Sequence, residues 1–385
     1  MRKVKFSDCV EYMIKGPFGS DMKKSLYVPK GDNTYKVYIQ VNAIQRNQSL
    51  GEYYVSEEYF HKKLERFEVH PGDYLITCDG TLGKFIKLDE NSEKGVISSS
   101  LLLLKLKEEV IYDKYFELIW EYSMLGYLAS QARNACLVHL PSAKAIGDVE
   151  IILPDLAEQI ELADRAFSVS NIVEKRKTEL ALLDNLIKAR FVEMFGTPYG
   201  NEKGFPMKTV DDVIEFTGGS QPDKKYFEYE PSEDNIRLIQ IRDYKTDKYI
   251  TYIPKSMAKR FCNVDDIMIG RYGPPIFQIL KGIEGSYNVA LMKATPKMGN
   301  KEFVRHFLMQ DCLFNYLDGL SQRTAGQSGI EMPALKAYPF PYPPIDLQNE
   351  FENFAEQVDK SKVAVQKALD EAQLLFDSLM QEYFG

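Results

Sequence analysis

The chain has few of the residues that usually support metal centres or covalent cross-links. Its 385 residues include 4 histidines, 5 cysteines and 1 tryptophan. The histidines (His61, His70, His139 and His306) are isolated in the sequence, which argues against metal ligation. The cysteines form no Cys-X-X-Cys pair, and an odd, scattered set favours reduced, buried thiols over disulfides or zinc.

Long apolar runs are also missing. The longest, Leu101–Leu104, predicts a buried strand and is far too short to span a membrane. The first ten residues, MRKVKFSDCV, contain no apolar signal region. With 44% hydrophobic and 27% charged residues, we expect a cytoplasmic globular protein of two or three domains.

The sequence also lacks recognisable catalytic and nucleotide-binding motifs. The Pro-Pro steps at Gly273–Ile276 and Tyr342–Ile345 lack the leading amide or acid that amino-group methylation needs. The segment Gly80–Lys84 (GTLGK) has too few residues between its glycines for a phosphate loop, so it predicts a turn between strands. No spacing of acidic residues indicates a nuclease centre. The sequence therefore favours a chain without catalytic residues or a cofactor of its own.

Glycine and proline are absent from two long segments, Asp155–Phe195 and Ile345–Phe384. Each begins just after a proline and is followed by a glycine, the punctuation typical of helix ends. Forty helical residues span roughly 60 Å, which is too long for the core of a small domain.

These segments belong to an internal repeat. Residues 154–196 align without a gap onto residues 343–385, and ten positions are identical where chance would supply about two or three. The identical pairs include Pro154/Pro343, Gln159/Gln348 and Ala166/Ala355.

Apolar residues in both segments recur at helical spacing and predict a narrow stripe on each helix. Leu156, Ile160, Ala163 and Phe167 begin the first stripe, and Phe351, Ala355 and Val358 begin the second. Two separate surface helices would explain this pattern. We favour an antiparallel pair, because each helix is the partner of matching length and stripe for the other.

The remaining sequence predicts two similar globular parts of mixed α and β structure. Short β-rich runs are separated by turn residues, and a helical region follows each set. The runs are 36–41, 73–77 and 95–106, then 236–241, 266–270 and 288–294, with helical regions at 112–131 and 301–320. We predict an α+β fold with domains at 1–153 and 197–342, separated by long helices at 154–196 and 343–385 that form a pseudo-two-fold coiled coil.

The net charge of −8 is distributed unevenly. Residues 1–153 carry −1 and residues 197–342 carry +1, whereas the helical segments carry −2 and −6. Overall charge reports on solubility and not on the field at one face, so nucleic-acid binding by the globular parts stays open.

Loops in both parts contain residue types suited to contacting phosphates and base edges. In the first part the candidates are Gly19, Ser20, Lys23 and Lys24, with Gln40, Asn42, Gln45 and Arg46. In the second part Gly219, Ser220, Gln221, Lys224 and Lys225 repeat the first group, and Gln240, Arg242, Tyr244 and Lys245 repeat the second. An ordinary solvated side chain would explain any one of them. The paired recurrence favours DNA binding.

Further candidates lie nearer the end of each part. Arg271 and Tyr272 stand between glycines, where an arginine could reach a guanine edge or form a structural salt bridge. The polar loop 321–329 contributes Gln322, Arg323 and Gln327, and Arg133 stands at the corresponding place in the first part.

Residues 152–196 and 343–385 closely resemble the central and C-terminal conserved helices of the specificity subunit of type I restriction-modification systems. The segments IKGPFGSDMKK and FTGGSQPDKK resemble the family's entry into its target-recognition domains. GRYGPPIFQILKGIEGSYNVAL looks like a recurrent strand region of those domains. The resemblance covers essentially the whole chain, and the helices are its most specific part.

The resemblance implies that each recognition domain reads one half of a bipartite double-stranded DNA site. It also implies that the helix pair sets the spacer and docks two methyltransferase subunits, with restriction subunits joining the complex. S-adenosylmethionine, ATP and magnesium are then expected only in the partner subunits. A stand-alone DNA-binding regulator or scaffold is the alternative, and an autonomous DNA-modifying enzyme is disfavoured by the missing motifs.

Overall fold

The computed structural model describes residues 2–45, 52–131, 139–272, 275–321 and 329–384. The chain divides into two compact units. Unit 1 contains residues 1–175 and 369–385, and unit 2 contains residues 176–368. Each long helix therefore contributes residues to both units, so the compact units divide the chain at other points than the predicted domain boundaries.

Within its described residues, unit 1 contains ten strands that form three sheets. The strands are β1 (Arg2–Lys5), β2 (Val10–Lys15), β3 (Thr34–Tyr38), β4 (Tyr53–Ser56), β5 (Glu68–Val69), β6 (Tyr74–Thr77), β7 (Phe85–Lys87), β8 (Gly95–Ile97), β9 (Leu101–Leu106) and β10 (Glu150–Leu153). The sheet orders are β1-β10, β2-β9-β6-β7 and β4-β3-β8-β5. All pairs are antiparallel except β3 with β8.

Unit 2 repeats this arrangement strand for strand. Its strands are β11 (Met207–Thr209), β12 (Ile214–Gly218), β13 (Asn235–Ile239), β14 (Tyr252–Pro254), β15 (Phe261–Cys262), β16 (Ile267–Gly270), β17 (Gln278–Lys281), β18 (Gly285–Tyr287), β19 (Leu291–Pro296) and β20 (Pro339–Pro341). The orders are β11-β20, β12-β19-β16-β17 and β14-β13-β18-β15, with β13 and β18 parallel. The repeat seen in the helices thus extends through both sets of sheets.

Nine short helices accompany the strands, and two long ones run through both units. The short helices are α1 (Gln40–Ala43), α2 (Glu57–Tyr59), α3 (Asp113–Ile119), α4 (Leu125–Gln131), α5 (Ala143–Gly147), α7 (Val210–Val213), α8 (Lys301–Leu308), α9 (Asp311–Ser321) and α10 (Met332–Ala337) in the described part of the chain. The long helices are α6 (Leu156–Phe195) and α11 (Ile345–Phe384), each of 40 residues. A π-helical turn, Trp120–Met124, joins α3 to α4.

In unit 1 the beginning of α6 and the end of α11 complete the main hydrophobic core. Leu162, Ala163 and Ala166 of α6 are buried there together with Phe376 and Met380 of α11. The same core contains side chains from β2, β6, β9 and the helical region α3–α4. One face of each helix end therefore belongs to the hydrophobic core of unit 1.

In unit 2 the end of α6 packs against the beginning of α11. Phe191 lies 5.3 Å from Phe351, centroid to centroid, and both are buried. The Nζ atom of Lys362 lies 2.6 Å from an Asp184 carboxylate oxygen, and Arg190 lies 3.1 Å from Glu350. Because residue numbers rise along one helix as they fall along the other, the pair is antiparallel, as predicted.

The α+β fold with two antiparallel long helices is confirmed, with local differences. Leu101–Leu104 is a buried strand, as expected. Ile160, which the predicted stripe of the first helix included, is exposed, because Gln159 turns inward instead. The run 36–41 ends as a strand at Tyr38, where α1 begins two residues later.

Over the described ranges, no helix combines the length and apolarity that a membrane span requires, and no cluster of metal-ligating side chains occurs. Cys9, Cys78 and Cys262 are free and buried, and burial raises the pKa of each to about 11. Such thiols resist ionisation and are poor nucleophiles at neutral pH.

Candidate nucleic-acid interface

The first candidate loop in each unit is set by a glycine that packs directly on another backbone segment. A Cβ atom on Gly16 would stand 1.9 Å from the carbonyl oxygen of Ser98, and one on Gly219 would stand 1.9 Å from that of Asn288. The Gly16 N–H donates to Leu101 and the Gly219 N–H to Leu291, at equivalent places in the two units. Gly219 is therefore the counterpart of Gly16.

The lysines of these loops do correspond. Lys24 begins a 3₁₀ turn, Lys24–Leu26, and Lys224 begins the turn Lys224–Tyr226. Antiparallel bridges follow both turns, from Val28 to Tyr54 and from Glu228 to Tyr252. Most residues of the two loops are exposed: Gly19, Ser20, Lys23, Lys24, Gln221, Lys224 and Lys225. Ser220 is half-buried. The two turns thus present an ammonium group to solvent at the same place in each unit.

The second candidate group is offset by one residue between the units. The Ser98 N–H donates to Tyr38, and the equivalent Asn288 N–H donates to Ile239. Gln40 therefore corresponds to Ile241 and Ile39 to Gln240, so the predicted equivalence of Gln40 and Gln240 is wrong. Gln40 begins the helix α1, whereas Gln240 precedes a 3₁₀ turn, so the two glutamines have different surroundings. Gln45 is exposed, and the side chain of Asn42 lies outside the description.

In unit 2 the polar groups after β13 form a hydrogen-bonded cluster around a buried hydroxyl. Gln240 Nε2 and Arg242 Nη2 both donate to Thr251 Oγ1, at 3.0 and 3.2 Å. Thr251 is fully buried, whereas Arg242 is exposed, and its guanidinium lies over the Tyr249 ring at 5.8 Å. These contacts orient the arginine while leaving most of its donors free to bind a ligand.

A buried carboxylate stabilises the same turn. Asp243 accepts a hydrogen bond from the Gln240 N–H at 3.3 Å and lies 3.5 Å from Arg237 Nε. Burial raises the pKa of Asp243, and the Gln240 N–H and Arg237 oppose that rise. Arg237 also pairs with Asp247 at 3.0 Å, so the turn is held on both sides.

Tyr244 does not face solvent as a DNA contact would. Its ring packs against the core cluster of Ile239, Cys262 and Met268, and its hydroxyl is enclosed without a hydrogen-bond partner. Burial raises the pKa of this hydroxyl well above its usual range. The residue instead anchors the turn that carries Arg242. Lys245, which follows it, is exposed.

Arg271 lies beside the glycine loop of unit 2. Its Nη1 donates to the Val289 carbonyl at 3.4 Å, and its guanidinium is 5.2 Å from the Tyr272 ring centroid. Within the described ranges no carboxylate pairs with it, so the alternative of a structural salt bridge gains no support. The Gly218–Ser220 loop, Arg271 and Tyr272 thus converge on one edge of unit 2.

Five candidates lie outside the described residues. They are Arg46, Arg133, Gln322, Arg323 and Gln327. Isolated bridges stand beside two of the segments to which they belong. Asp79 pairs with His139, and Tyr272 pairs with Gly329, at equivalent positions in the two units.

Several exposed aromatic residues near the candidate loops were not among the site residues that the sequence predicted. Phe18, between Gly16 and Gly19, is 83% exposed. Tyr229 and Tyr249 line a groove of about 600 Å³ with Arg242 and Lys248. Composition alone could not separate these rings from core residues, although position beside glycine and lysine loops was an available signal. Exposed rings beside cations suit stacking against bases or sugars.

The arrangement can bind polar and anionic ligands, and it lacks the parts for bond chemistry. Ammonium and guanidinium groups can contact phosphates, and Gln240, Arg242 and Arg271 can donate to base edges. Among the candidates within the described residues, no nucleophile lies beside a general base.

Comparison with known proteins finds one relative of similar sequence and no matching family model. The type I restriction enzyme MjaVIII specificity subunit of Methanocaldococcus jannaschii is 22% identical over 338 residues, which cover 78% of this chain and 77% of that protein.

Two solved structures share the fold. A chain from a structure on complex assembly and conformational transition of the type I R-M system has a TM-score of 0.58 at 14% identity, covering 100% of this chain and 97% of the other. The type I restriction-modification S subunit from M. genitalium has a TM-score of 0.56 at 14% identity, covering 100% and 96%. The chain is thus similar in sequence to a type I specificity subunit and shares the fold of two structures from type I restriction-modification systems.

Proposed function

We propose that this chain is the DNA sequence-specificity subunit of a type I restriction-modification complex and performs no chemistry itself. Unit 1 and unit 2 each carry one reading surface, and each surface recognises one half of a bipartite double-stranded site. The observation that carries the proposal is the strand-for-strand repetition of the two units. A duplicated scaffold with diverged loops suits a protein that reads two different short sequences.

Within each reading surface the residues divide by the part of DNA that they contact. Lys24 and Lys224, at equivalent 3₁₀ turns, contact phosphates and fix the position of each unit on the duplex. Arg242 and Arg271 read base edges in unit 2, because their guanidinium groups are oriented and keep free donors. Gln40 and Gln45 occupy the corresponding region of unit 1.

The long helices serve two further roles in this proposal. Their exposed faces dock two methyltransferase subunits, through which restriction subunits join the complex. S-adenosylmethionine, ATP and magnesium act in those partners. Because α6 and α11 each contribute to both units, their length sets the spacer between the two half-sites.

Exchange of residues 1–153 for those of another specificity subunit tests the two-reader proposal. The chimaera should be expressed with its methyltransferase subunit, and the host genome sequenced for methylated sites. We expect one half-site to change and the other to stay. Change in both halves, or in neither, would contradict the proposal.

Insertion of one helical turn into both α6 and α11 tests the role of the helices. We expect both half-sites to be retained and the spacer between them to change. An unchanged spacer would reject the helices as its determinant. Co-purification of the tagged chain with methyltransferase subunits separates this function from a stand-alone regulator, which would purify alone.

A further inference from the structure

Unit 2 contains a cleft between its helical region α8 and the paired long helices. The cleft has a volume of about 520 Å³, within the range typical of small-molecule sites. Ile187 of α6, Ile279 and Leu280 of β17 and Met309 supply apolar walls. Its inner surface includes His306, which is only 9% exposed.

The equivalent place in unit 1 is filled by the chain's own aromatic rings. There Phe376 of α11 and Tyr122 of the π-helical turn meet edge to face, with centroids 5.6 Å apart at 71°. Phe85 and Phe167 lie beside them, and the space that remains is about 90 Å³. Unit 1 therefore shows which kind of group this position of the fold accommodates.

Two differences in sequence leave the cleft of unit 2 open. The repeat of the long helices places Ile187 where unit 1 has Phe376, so one ring is missing. In addition, α8 ends at Leu308, and Gln310 folds back to donate to the His306 carbonyl at 2.9 Å. No π-helical turn carries an aromatic side chain over the cleft, as Trp120–Met124 does in unit 1.

The polar groups of the cleft favour a neutral ligand. Its charged side chains are paired, since Lys362 lies 2.6 Å from Asp184, Arg305 Nε 3.2 Å from Glu302, and Lys281 3.7 Å from Asp359. The His306 ring packs edge to face on Phe351 at 5.1 Å. His306 lines the cleft, and its imidazole can donate or accept a hydrogen bond with a ligand there.

We propose that this cleft is a binding pocket for a phenolic ring, with His306 as the hydrogen-bond partner of the hydroxyl group. The ring replaces the aromatic side chains that fill the equivalent space in unit 1, and the apolar walls bury its faces. Within the described residues the pocket is open in unit 2, whereas its equivalent in unit 1 is filled. It is independent of the proposed DNA contacts, none of which lines it.

Titration of the full chain with p-cresol and with toluene tests the proposal. We expect saturable binding of p-cresol, about tenfold tighter than that of toluene, because only the phenol can bond to His306. The ¹⁵N resonances of the His306 ring should shift with p-cresol and not with toluene. Absence of saturable p-cresol binding, or equal affinity for both compounds, would overturn the proposal.

Two variants locate the binding site. Ile187→Phe restores the ring that unit 1 has, and we expect it to weaken p-cresol binding at least about tenfold. Phe376→Leu, at the equivalent position of unit 1, is the matched control and should retain the unit 2 site with unchanged affinity. Unaltered binding to a folded Ile187→Phe protein would place the ligand elsewhere and reject the pocket. If that variant does not fold, the His306 resonances of the unmodified chain decide the question.

Discussion

Gln159 and Gln348 make the same hydrogen bonds at equivalent positions of the two long helices. Gln159 Oε1 accepts from the Tyr112 N–H at 2.8 Å, and Gln348 Oε1 accepts from the Asn300 N–H at 2.8 Å. Each side-chain amide donates back to the proline before its helix, Pro154 or Pro343. Both glutamines are fully buried. The first turn of each long helix is thereby joined to the residue that precedes α3 or α8.

Replacement of Gln348 by alanine should destabilise unit 2. The N–H of Asn300 and the carbonyl of Pro343 would lose their partner while buried, at a cost of about 1–3 kcal/mol. Amide hydrogen exchange at Asn300 should accelerate by the factor that this loss of free energy corresponds to. Gln357→Ala, at an exposed position on the same helix, is the control. Equal exchange rates in the two variants would show that the buried bonds contribute nothing.

Truncation of Phe191 should have a larger effect on the same unit. Its ring is fully buried against Phe195, Phe303 and Phe351, so Phe191→Ala should cost about 3–5 kcal/mol in the free energy of unfolding. Urea denaturation measures the loss. The adjacent Val192 is exposed, and Val192→Ala should stay within about 0.5 kcal/mol of the unmodified protein. Similar losses in both would contradict the packing described for α6.

The glycine loops should tolerate an alanine at Gly19 and not at Gly16 or Gly219. Gly16→Ala and Gly219→Ala place a methyl group 1.9 Å from a backbone oxygen, so each should destabilise its unit by about 1–3 kcal/mol or more. Gly19→Ala meets no atom within 4 Å and should be nearly neutral. Thermal denaturation of the three variants provides the comparison. A destabilised Gly19→Ala with a stable Gly16→Ala would reverse the assignment made from the backbone contacts.

Unit 2 should lose stability as the pH falls through the titration of His306. Burial lowers the pKa of His306 from 6.5 to about 4, with Arg305, Lys362 and Lys281 acting in the same direction and Asp359 opposing it. The unfolded chain therefore binds the proton first, and the stabilisation is complete above pH 6.5 and lost as the pH falls towards 4. The stabilisation that is lost amounts to about 3 kcal/mol in the free energy of unfolding.

His306→Leu should remove this part of the pH dependence. We expect the variant to lose less stability than the unmodified chain between pH 7 and pH 4.5, as measured by urea denaturation at both values. His61→Leu, an exposed position in unit 1, should leave the pH profile of unit 2 unchanged. A profile identical in His306→Leu and the unmodified chain would show that this group does not titrate as its burial requires.

Substitutions at the reading surface of unit 2 should separate phosphate contacts from base contacts. Lys224→Ala should weaken DNA binding by the assembled complex on all sequences alike and reduce the salt dependence by about one released ion. Arg242→Ala should cost about 1–3 kcal/mol and relax the preference at one position of one half-site. Lys203→Ala, an exposed lysine of unit 2 outside the long helices and the candidate loops, is the control. Equal behaviour of all three would argue against DNA contact by this surface.

The long helices could be predicted closely from the sequence. Helix formation over Leu156–Phe195 and Ile345–Phe384 depends on local properties: continuous helix-forming residues, punctuation by proline and glycine, and apolar spacing. The strand order in each unit was not predictable in this way, because pairings such as β3 with β8 join residues far apart in sequence. For the same reason the sequence did not indicate that each helix would complete the cores of both units.

The equivalence of site residues also needed the tertiary structure. The letters YIQV and LIQI favoured matching Gln40 with Gln240, whereas the hydrogen bonds to Tyr38 and Ile239 place the match one residue later. Likewise, tyrosine is a residue type that suits DNA contact, and only the tertiary structure shows that Tyr244 packs inward against the cluster around Cys262.

The sequence by itself determined the repeat, the length of the two helices and the resemblance to a family, since these are recorded in local patterns. The tertiary structure decided which polar side chains face solvent, which glycines are required and which cleft stays open. Those properties depend on contacts between segments distant in the chain, where a shift of one residue reverses the face that a side chain occupies.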